Sequence, residues 1–261
     1  MQSNRSFLYG ESVFTTAMLV NGRVLFFSSH LERLLKGADF LWGPFSVDEL
    51  ANLKERIISF LPKDIESNGL RITLSYQDQN RMILRNQFDC HAIEIDYLAF
   101  DRGNKQAAKL KSIQTADEQN LLPHFLKNSR RAQQTLMYFK SGYLDNSESL
   151  LLCGPEDEVF ESSWANIFAV KNNTLYTPPC GGSVLSGIMR SKVLEYPSHQ
   201  FSEVKEETFD LGWLKSCDFV FLTNALWGVI PVQKIDSTNF NLPVEEFFKF
   251  EKAILDEEIK S

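Results

Sequence analysis

One lysine in the sequence stands where an amine could become a nucleophile. In the stretch LPHFLKNSRRAQQ, residues 121–133, Lys127 directly precedes Asn128 and Ser129, and both residue types are preferred at helix N-termini. The positive end of a helix dipole, two neighbouring arginines and any burial would all favour the neutral amine, which is the form that attacks a carbonyl carbon. A solvated surface charge is the alternative, and Lys127 alone does not decide between the two.

A carboxylate and a glycine-led helix start add a second kind of chemistry. Glu161, in EVFESSWANIF, could keep a pyridine nitrogen protonated in a partly dry site, although a turn glutamate is the alternative. In VLSGIMRSKVLE, Gly187 lets the backbone approach closely, and the N–H groups of Ile188 and Met189 would open a helix that can bind phosphate. Arg33, in HLERL, lies off the apolar face of its helix and is either a phosphate ligand or a solvated charge.

The elements that must position these residues begin with two helices and three strands. The stretch NGRVLFFSSHLERLLKGADFLWGP predicts a short strand and then a helix that is capped by Ser28 or Ser29 and ends near Gly43. SVDELANLKERIISFLP predicts a second helix, because Ser46 and Glu49 have the spacing of a capping box. GLRITLSYQ and HAIEIDYLAF alternate apolar and polar residues, which predicts two half-buried strands.

The second half of the chain reads as a mixture of strands and helices. We expect a helix from Asn128 to about Gly142, a strand at SLLLC, and a β-hairpin that turns at Asn172 and Asn173. LSGIMRSKVLE predicts a helix. CDFVFLTNALWGVIPVQKID predicts one or two buried strands with a break around Asn224. PVEEFFKFEKAILDEEIK predicts an amphipathic closing helix.

The length predicts two domains. At 261 residues the chain is about twice the usual domain size. The polar passage DRGNKQAAKLKS, residues 101–112, is where we expect the chain to cross from one domain to the other. We therefore predict an α+β protein with domains at residues 1–104 and 105–261.

The composition excludes several classes of partner. A net charge of −7 and a pI near 5.2 argue against a nucleic-acid or anionic-membrane surface, but a small anionic substrate could still meet a local cluster of arginines. The N-terminal MQSNRSFLYGES lacks the apolar core of a secretion signal, and the longest apolar stretch, residues 219–232, is too short to span a membrane. The cysteines form no C-x-x-C, which fits reduced thiols in a cytoplasm better than a metal site.

Taken in order, the motifs resemble those of the fold type IV pyridoxal-phosphate enzymes, the family of branched-chain and D-amino-acid aminotransferases and 4-amino-4-deoxychorismate lyase. The matching motifs run over most of the chain: FLYGESVFTTA, HLERL, FLKNSRRAQQ, EVFESSWANIF, LYTPP, VLSGIMR and LTNALWGVIPV. The resemblance implies a small N-terminal α/β domain and a larger C-terminal pseudo-barrel domain that binds pyridoxal 5′-phosphate.

The resemblance also implies a role for each site residue. Lys127 would bond covalently to the cofactor's aldehyde, and Glu161 would bond its pyridine nitrogen. The residues that would contact the cofactor phosphate are Arg33, Ile188, Met189, Asn224 and Ala225. Neighbouring subunits complete the site in this family, so we expect a homodimer.

Within the family, FTTA is similar to the aminodeoxychorismate lyases, whereas the aminotransferases read F-E-T or F-E-G. The lyase pattern gives Thr16 a proton-relaying hydroxyl, although threonine is also a common strand residue. Arg131, four residues after the lysine, is also similar to the lyases. The loop QDQNRMILR lacks the family's glycines and offers Arg81 and Arg85 to substrate carboxylates.

The resemblance therefore implies a lyase that makes 4-aminobenzoate and pyruvate for folate synthesis, with Arg81 and Arg131 binding substrate. An aminotransferase for D-amino or branched-chain acids is the runner-up, and a non-catalytic binding protein of the same fold is the third reading.

Overall fold

The chain folds into two compact units. The computed structural model describes residues 10–61, 69–76, 91–99, 105–115, 123–128, 148–196, 201–242 and 244–260. The first unit contains the described residues up to 99 together with residues 125–128, and the second contains the other described residues. The domain boundary at residue 104 stays a prediction.

The first unit is built on an antiparallel sheet. Its described strands are β1 (Ser12–Val20), β2 (Arg23–Val24), β3 (Gly69–Tyr76) and β4 (His91–Leu98). They lie in the order β2-β1-β3-β4, and each neighbouring pair is antiparallel. Every residue of β1 except Val20 is buried, so this central strand carries the core of the unit. The strands predicted from GLRITLSYQ and HAIEIDYLAF are confirmed as β3 and β4.

Two helices accompany this sheet. Helix α1 (Phe27–Trp42) packs against β1, and α2 (Val47–Phe60) follows it. The capping box of α2 is confirmed, because Ser46 Oγ accepts from the Glu49 N–H at 3.3 Å and Glu49 Oε2 accepts from the Ser46 N–H at 2.7 Å. The predicted serine cap of α1 is wrong. The cap residue is Phe26, in the left-handed region at φ 53°, so both serines already lie inside the first turn.

The second unit contains a larger mixed sheet. Its described strands are β5 (Ala108–Gln114), β6 (Glu148–Cys153), β7 (Val159–Ser162), β8 (Asn166–Lys171), β9 (Thr174–Thr177), β10 (Glu203–Glu206), β11 (Phe219–Asn224), β12 (Gly228–Ile235) and β13 (Thr238–Asn239). Their order is β10-β9-β8-β11-β12-β5-β6-β7, and β13 pairs with β12. Strand β5 runs parallel to both β6 and β12, whereas β8, β11 and β12 are antiparallel neighbours.

The helices of the second unit are α3 (Ile188–Glu195), α4 (Leu211–Lys215) and α5 (Val244–Lys260). Apolar side chains fill both faces of the central strands. Ile167 and Val220 belong to a buried cluster, while the rings of Phe168 and Phe221, which alternate with them, stack at 5.0 Å. Phe247 of α5 lies 5.2 Å from Phe221, so the apolar face of α5 covers this second layer.

The structure confirms the local predictions for the described part of the second unit. Asn172 and Asn173 have φ angles of 50° and 61° between β8 and β9, the left-handed conformation that a two-residue hairpin turn requires. The apolar stretch around Asn224 forms two strands, β11 and β12. The strand at SLLLC, the helix after Gly187 and the closing helix are also confirmed as β6, α3 and α5. The predicted helix from Asn128 to Gly142 lies outside the described residues. None of the described helices is both long and apolar enough to cross a membrane.

Candidate functional site

Lys127 is held against the edge of the first unit's central strand. The Phe14 N–H donates to the Lys127 carbonyl at 2.9 Å, and Asn128 forms an antiparallel bridge with Val13. Leu126 is buried, and it approaches the backbone of Gly37 in α1 so closely that an added Cβ there would lie 3.3 Å from Leu126 Cδ1. These contacts fix the backbone of the lysine. Its Nζ lies 5.2 Å from the centroid of the Phe14 ring.

Thr16 lies on the same face of β1 as Phe14, because side chains alternate along a strand. It is buried, with 8% of its surface exposed, and its register partner on β3 is Arg71. The Arg71 guanidinium carbon lies 5.1 Å from the Phe14 ring centroid. Phe14 therefore has the amine of Lys127 and the guanidinium of Arg71 near its ring, with Thr16 as its neighbour on the strand.

Arg71 was missed by the sequence interpretation, which treated the arginine of LRITLSY as part of an alternating strand. The strand register that puts it opposite Thr16 is a tertiary feature, and the sequence carried no signal for it. Its Nε is buried and has no hydrogen-bond partner among the residues that the structure describes. A half-buried arginine whose Nε is buried without an acceptor is suited to an anionic group.

Arg33 contacts the opposite face of β1. Its Nη2 donates to Thr15 Oγ1 at 2.9 Å, and the Thr15 side chain is fully buried. The Nε of Arg33 is also buried and finds no acceptor within the described ranges. Burial lowers the pKa of Arg33 to about 10, so the guanidinium stays charged at neutral pH.

His30 shares this cluster and was also missed. Its Nδ1 lies 2.6 Å from Thr15 Oγ1, and 1% of the residue is exposed. Burial holds the pKa of His30 well below its usual range, and the positive charges of Arg33 and Lys127 lower it further. The imidazole is therefore neutral at pH 7. HLERL gave no signal for this role, because a histidine at the start of a helix is usually read as a solvated residue.

Glu161 lies in β7, where two donors orient its carboxylate. Its Oε2 accepts from Asn166 Nδ2 at 2.8 Å and from the Leu185 N–H at 3.0 Å. Asn166 Nδ2 also donates to the Leu185 carbonyl at 2.8 Å, so both of its N–H bonds are used. Asn166 therefore orients the candidate site residue Glu161, and the sequence interpretation missed it although SSWANIF shows it at the start of a strand.

Asn166 also fits closely against the start of α3. Gly187 caps this helix, which has no side-chain cap, and Ile188 and Met189 are buried in its first turn. A Cβ at position 187 would collide with the Asn166 amide oxygen, so the glycine is required by space. The first N–H groups of a helix lack intrahelical acceptors, and they make a site for an anion.

Asn224 and Ala225 lie where β11 ends, and α3 packs against this strand. Asn224 Oδ1 accepts from the N–H groups of Leu226 at 2.9 Å and Trp227 at 2.7 Å, which fixes the turn into β12. The neighbouring Thr223 hydroxyl is buried and has no partner among the described residues. This hydroxyl was not predicted as a site residue.

The predicted site residues fall into two sets. In the first unit the structure groups Lys127 and Thr16 around Phe14, with Arg33 bound to the other face of β1. In the second unit it links Glu161 to the α3 start through Asn166, and α3 packs against the strand that ends at Asn224. Arg81, Arg85 and Arg131 lie outside the described residues, and all of these site assignments stay predictions.

The chain is similar to several known proteins along most of its length. Residues 12–235 match the model of a family described as amino-transferase class IV. The aminodeoxychorismate lyase of Vibrio harveyi is 27% identical over 241 residues, which cover 90% of this chain and 86% of the relative. The D-alanine aminotransferase of Listeria monocytogenes is 23% identical over 236 residues, which cover 89% of this chain and 81% of the relative.

A solved structure gives the corresponding likeness in three dimensions. A hypothetical aminotransferase from Mycobacterium tuberculosis, in its PLP-bound form, superposes with a TM-score of 0.75 at 14% identity, over 98% of this chain and 93% of that one. This likeness confirms the predicted α+β two-domain fold.

Proposed function

The chain belongs to the class IV amino-transferase family, and we propose that within this family it is a 4-amino-4-deoxychorismate lyase that forms 4-aminobenzoate and pyruvate. Membership confirms the resemblance of the motifs, and it makes the chain an enzyme of the lyase or aminotransferase kind. The cofactor is pyridoxal 5′-phosphate.

The polar groups of the described residues fit this cofactor. A phosphate needs donors. In the first unit Arg33 Nε is a buried donor with no acceptor among the described residues, and in the second unit the Thr223 hydroxyl is another, while α3 begins without a side-chain cap. A protonated pyridine nitrogen needs a carboxylate, and Glu161 is oriented for this role by Asn166 and Leu185. When bound, the cofactor supplies an electron-withdrawing ring that stabilises negative charge on the substrate carbon bearing the amine.

Lys127 would have two functions. Its amine would hold the cofactor, and it would then accept the proton from the substrate carbon that bears the amino group. Loss of the enolpyruvyl group from the substrate would leave an aromatic ring, which makes the elimination favourable. The backbone bond from Phe14 to Lys127 would keep the amine in position for that transfer.

The observation that carries the lyase proposal is the position of Thr16, a buried residue on the face of β1 that bears Phe14, whose ring lies near the Lys127 amine. Thr16 would relay a proton toward the departing pyruvate. Arg71 would attract the carboxylates of the substrate, as would Arg81 and, less centrally, Arg131. The name of the Vibrio harveyi relative supports the same reaction.

An aminotransferase for D-amino or branched-chain acids is the second candidate, and the name of the Listeria relative favours it. The two reactions share the lysine, the glutamate and the phosphate contacts, but only transamination needs a keto-acid acceptor. Retention of Lys127 and Glu161 argues against a non-catalytic binding protein of the same fold.

The deciding experiment supplies the purified enzyme with 4-amino-4-deoxychorismate and no keto acid. The proposal predicts 4-aminobenzoate and pyruvate in equal amounts. Transfer of the amino group from D-alanine or leucine to 2-oxoglutarate, with no 4-aminobenzoate formed from the first substrate, would establish the aminotransferase instead.

We further propose that the enzyme is a cytoplasmic homodimer that takes part in folate synthesis and uses neither nucleic acid nor membrane as a partner. The family resemblance and the acidic composition support this, since a net charge of −7 disfavours both surfaces. Light scattering after gel filtration tests the assembly, because a dimer has twice the 29.9 kDa mass of the chain.

A further inference from the structure

A buried threonine links a histidine to the arginine that would bind the cofactor phosphate. Thr15 Oγ1 lies 2.9 Å from Arg33 Nη2 and 2.6 Å from His30 Nδ1. Thr15 and His30 are 0% and 1% exposed, so water does not compete for these bonds.

One arrangement of donors and acceptors uses all three side chains of this cluster. An arginine can only donate, so Thr15 Oγ1 accepts from Arg33 and has its own hydrogen left to place. If that hydrogen is donated to His30 Nδ1, which lies 2.6 Å away, Nδ1 is the unprotonated ring nitrogen. His30 then carries its proton on Nε2, and that atom is buried with no partner in the described part of the chain.

We propose that Thr15 and His30 are positioning residues for the phosphate-binding guanidinium of Arg33. His30 accepts the Thr15 hydrogen, which turns a lone pair of Thr15 toward Arg33 Nη2 and fixes the guanidinium plane. The unused Nε edge is thereby held in one orientation for an anion. Because Thr15 is neutral, it accepts a hydrogen bond from Arg33 without neutralising the positive charge of the guanidinium, as a glutamate at that position would. This inference rests on the proposed role of Arg33 as a phosphate ligand.

The low pKa of His30 supports the arrangement, because a protonated imidazole could not accept at Nδ1. Burial and the charges of Arg33 and Lys127 keep the ring neutral, so the acceptor is present at neutral pH. Both groups act through Arg33 and need not touch the substrate.

The test compares the affinity of the apoprotein for two probes, pyridoxal 5′-phosphate and pyridoxal, which lacks the phosphate. Thr15→Val keeps the volume of the side chain but removes the hydroxyl. We expect it to weaken binding of pyridoxal 5′-phosphate roughly tenfold and to leave binding of pyridoxal unchanged, because the lost bond is one to a charged group. Thr15→Ser should restore the preference for the phosphate, and Thr15→Ala gives the same readout as Thr15→Val should the latter not fold.

His30 is tested in the same way. His30→Asn keeps an acceptor near the position of Nδ1 and should retain the preference for pyridoxal 5′-phosphate, whereas His30→Phe should lose it. Thr177→Val is the matched control, because Thr177 is 1% exposed and donates to the Ile167 carbonyl at 2.7 Å in the other unit. It should lower stability without changing the ratio of the two affinities.

Nitrogen NMR of histidine-labelled protein gives an independent reading of the tautomer. At neutral pH we expect the His30 nitrogen signals of a ring that is protonated on Nε2 and unprotonated on Nδ1. Protonation on Nδ1, or an equal loss of affinity for both probes in Thr15→Val, would overturn the inference and leave the lyase proposal intact. If the parent protein binds both probes equally, Arg33 is not a phosphate ligand. That result would contradict both the proposed phosphate contact of Arg33 and the positioning role of Thr15 and His30.

Discussion

Thr15 and Thr16 are adjacent in sequence but point to opposite faces of β1, so they serve different groups. Thr16 shares the face of Phe14, over whose ring the amine of Lys127 lies, while Thr15 accepts from Arg33. A change at one position therefore leaves the contacts of the other in place. This separation lets the proposed proton relay of Thr16 and the proposed phosphate contact of Arg33 be tested independently.

We predict that Thr16→Val lowers the rate of the lyase reaction by roughly 10²- to 10⁴-fold, the range typical of a lost proton-transfer group. The affinity for pyridoxal 5′-phosphate should stay within about twofold of the parent, since a twofold change is well under 1 kcal/mol. Steady-state kinetics with 4-amino-4-deoxychorismate and a cofactor titration measure the two quantities. Thr16→Ser is the control, and a valine variant that keeps the parent rate would remove Thr16 from the mechanism.

Asn166 gives a second prediction at this scale. Asn166→Leu removes the side-chain donor to Glu161, which costs about 1–3 kcal/mol for a part-buried charged acceptor. We expect a lower rate and weaker cofactor binding, because the carboxylate is no longer held toward one direction. The same measurements apply, with Gln114→Leu as a control, since the Gln114 amide bonds Asp157 on the surface. Unchanged activity in Asn166→Leu would show that Glu161 does not depend on this orientation.

His30 should make the stability of the protein depend on pH. Its folded pKa lies below the unfolded value of about 6.5, so the unfolded chain binds the proton more readily. The free energy of unfolding is therefore unaffected by His30 above that pH and falls as the pH drops below it. Urea unfolding at about pH 7.5 and about pH 5 should show a larger loss in the parent than in His30→Asn. Equal losses in the two proteins would contradict the pKa assigned to His30.

At the scale of elements, the closing helix is tied to its unit by a buried ion pair. Lys105 Nζ lies 2.7 Å from Glu251 Oε2, and their side chains are 5% and 6% exposed. Glu251 also packs against Gly228, where an added Cβ would collide with its carboxylate. Gly228 follows the turn that contains Asn224 and Ala225, so α5 packs, through Glu251, next to the end of that turn.

We predict that Glu251→Ala lowers the free energy of unfolding by about 3–5 kcal/mol, because Lys105 keeps a buried charge without its main counter-ion. The matched control is Glu195→Ala, whose partner Lys192 lies 2.6 Å away in a pair with a 61% exposed glutamate. That change should cost at most about 1 kcal/mol. Urea unfolding measures both variants, and equal effects would contradict the burial of the Lys105 pair.

The elements that could be predicted are those with local signals. The capping box of α2 and the Asn172–Asn173 turn depend on a few neighbouring residues, so their patterns are complete in the sequence. Strands β5 and β10 were not predicted, because they are polar and form through pairing with strands distant in sequence. The start of α1 was misplaced because Phe26 adopts a left-handed conformation that a non-glycine residue rarely takes.

At the scale of the whole molecule, family motifs predicted candidate site residues but not the residues that contact and orient them. Lys127, Glu161 and Arg33 were recognisable from motif order. Their supports are Asn166 for Glu161 and the Thr15–His30 pair for Arg33, and each contact depends on packing between separate elements. A single sequence contains no local pattern for such contacts, so the positioning residues emerge from the structure alone.

The most direct test of the account is chemical labelling of the lysine that holds the cofactor. The holoenzyme is reduced with borohydride, digested, and mapped by mass spectrometry, with Lys127→Ala as the companion variant. We predict a yellow protein whose reduced pyridoxyl group is on Lys127, and a variant that neither carries the label nor turns over substrate. A label on any other lysine, or a Lys127→Ala enzyme with the parent rate, would contradict the account.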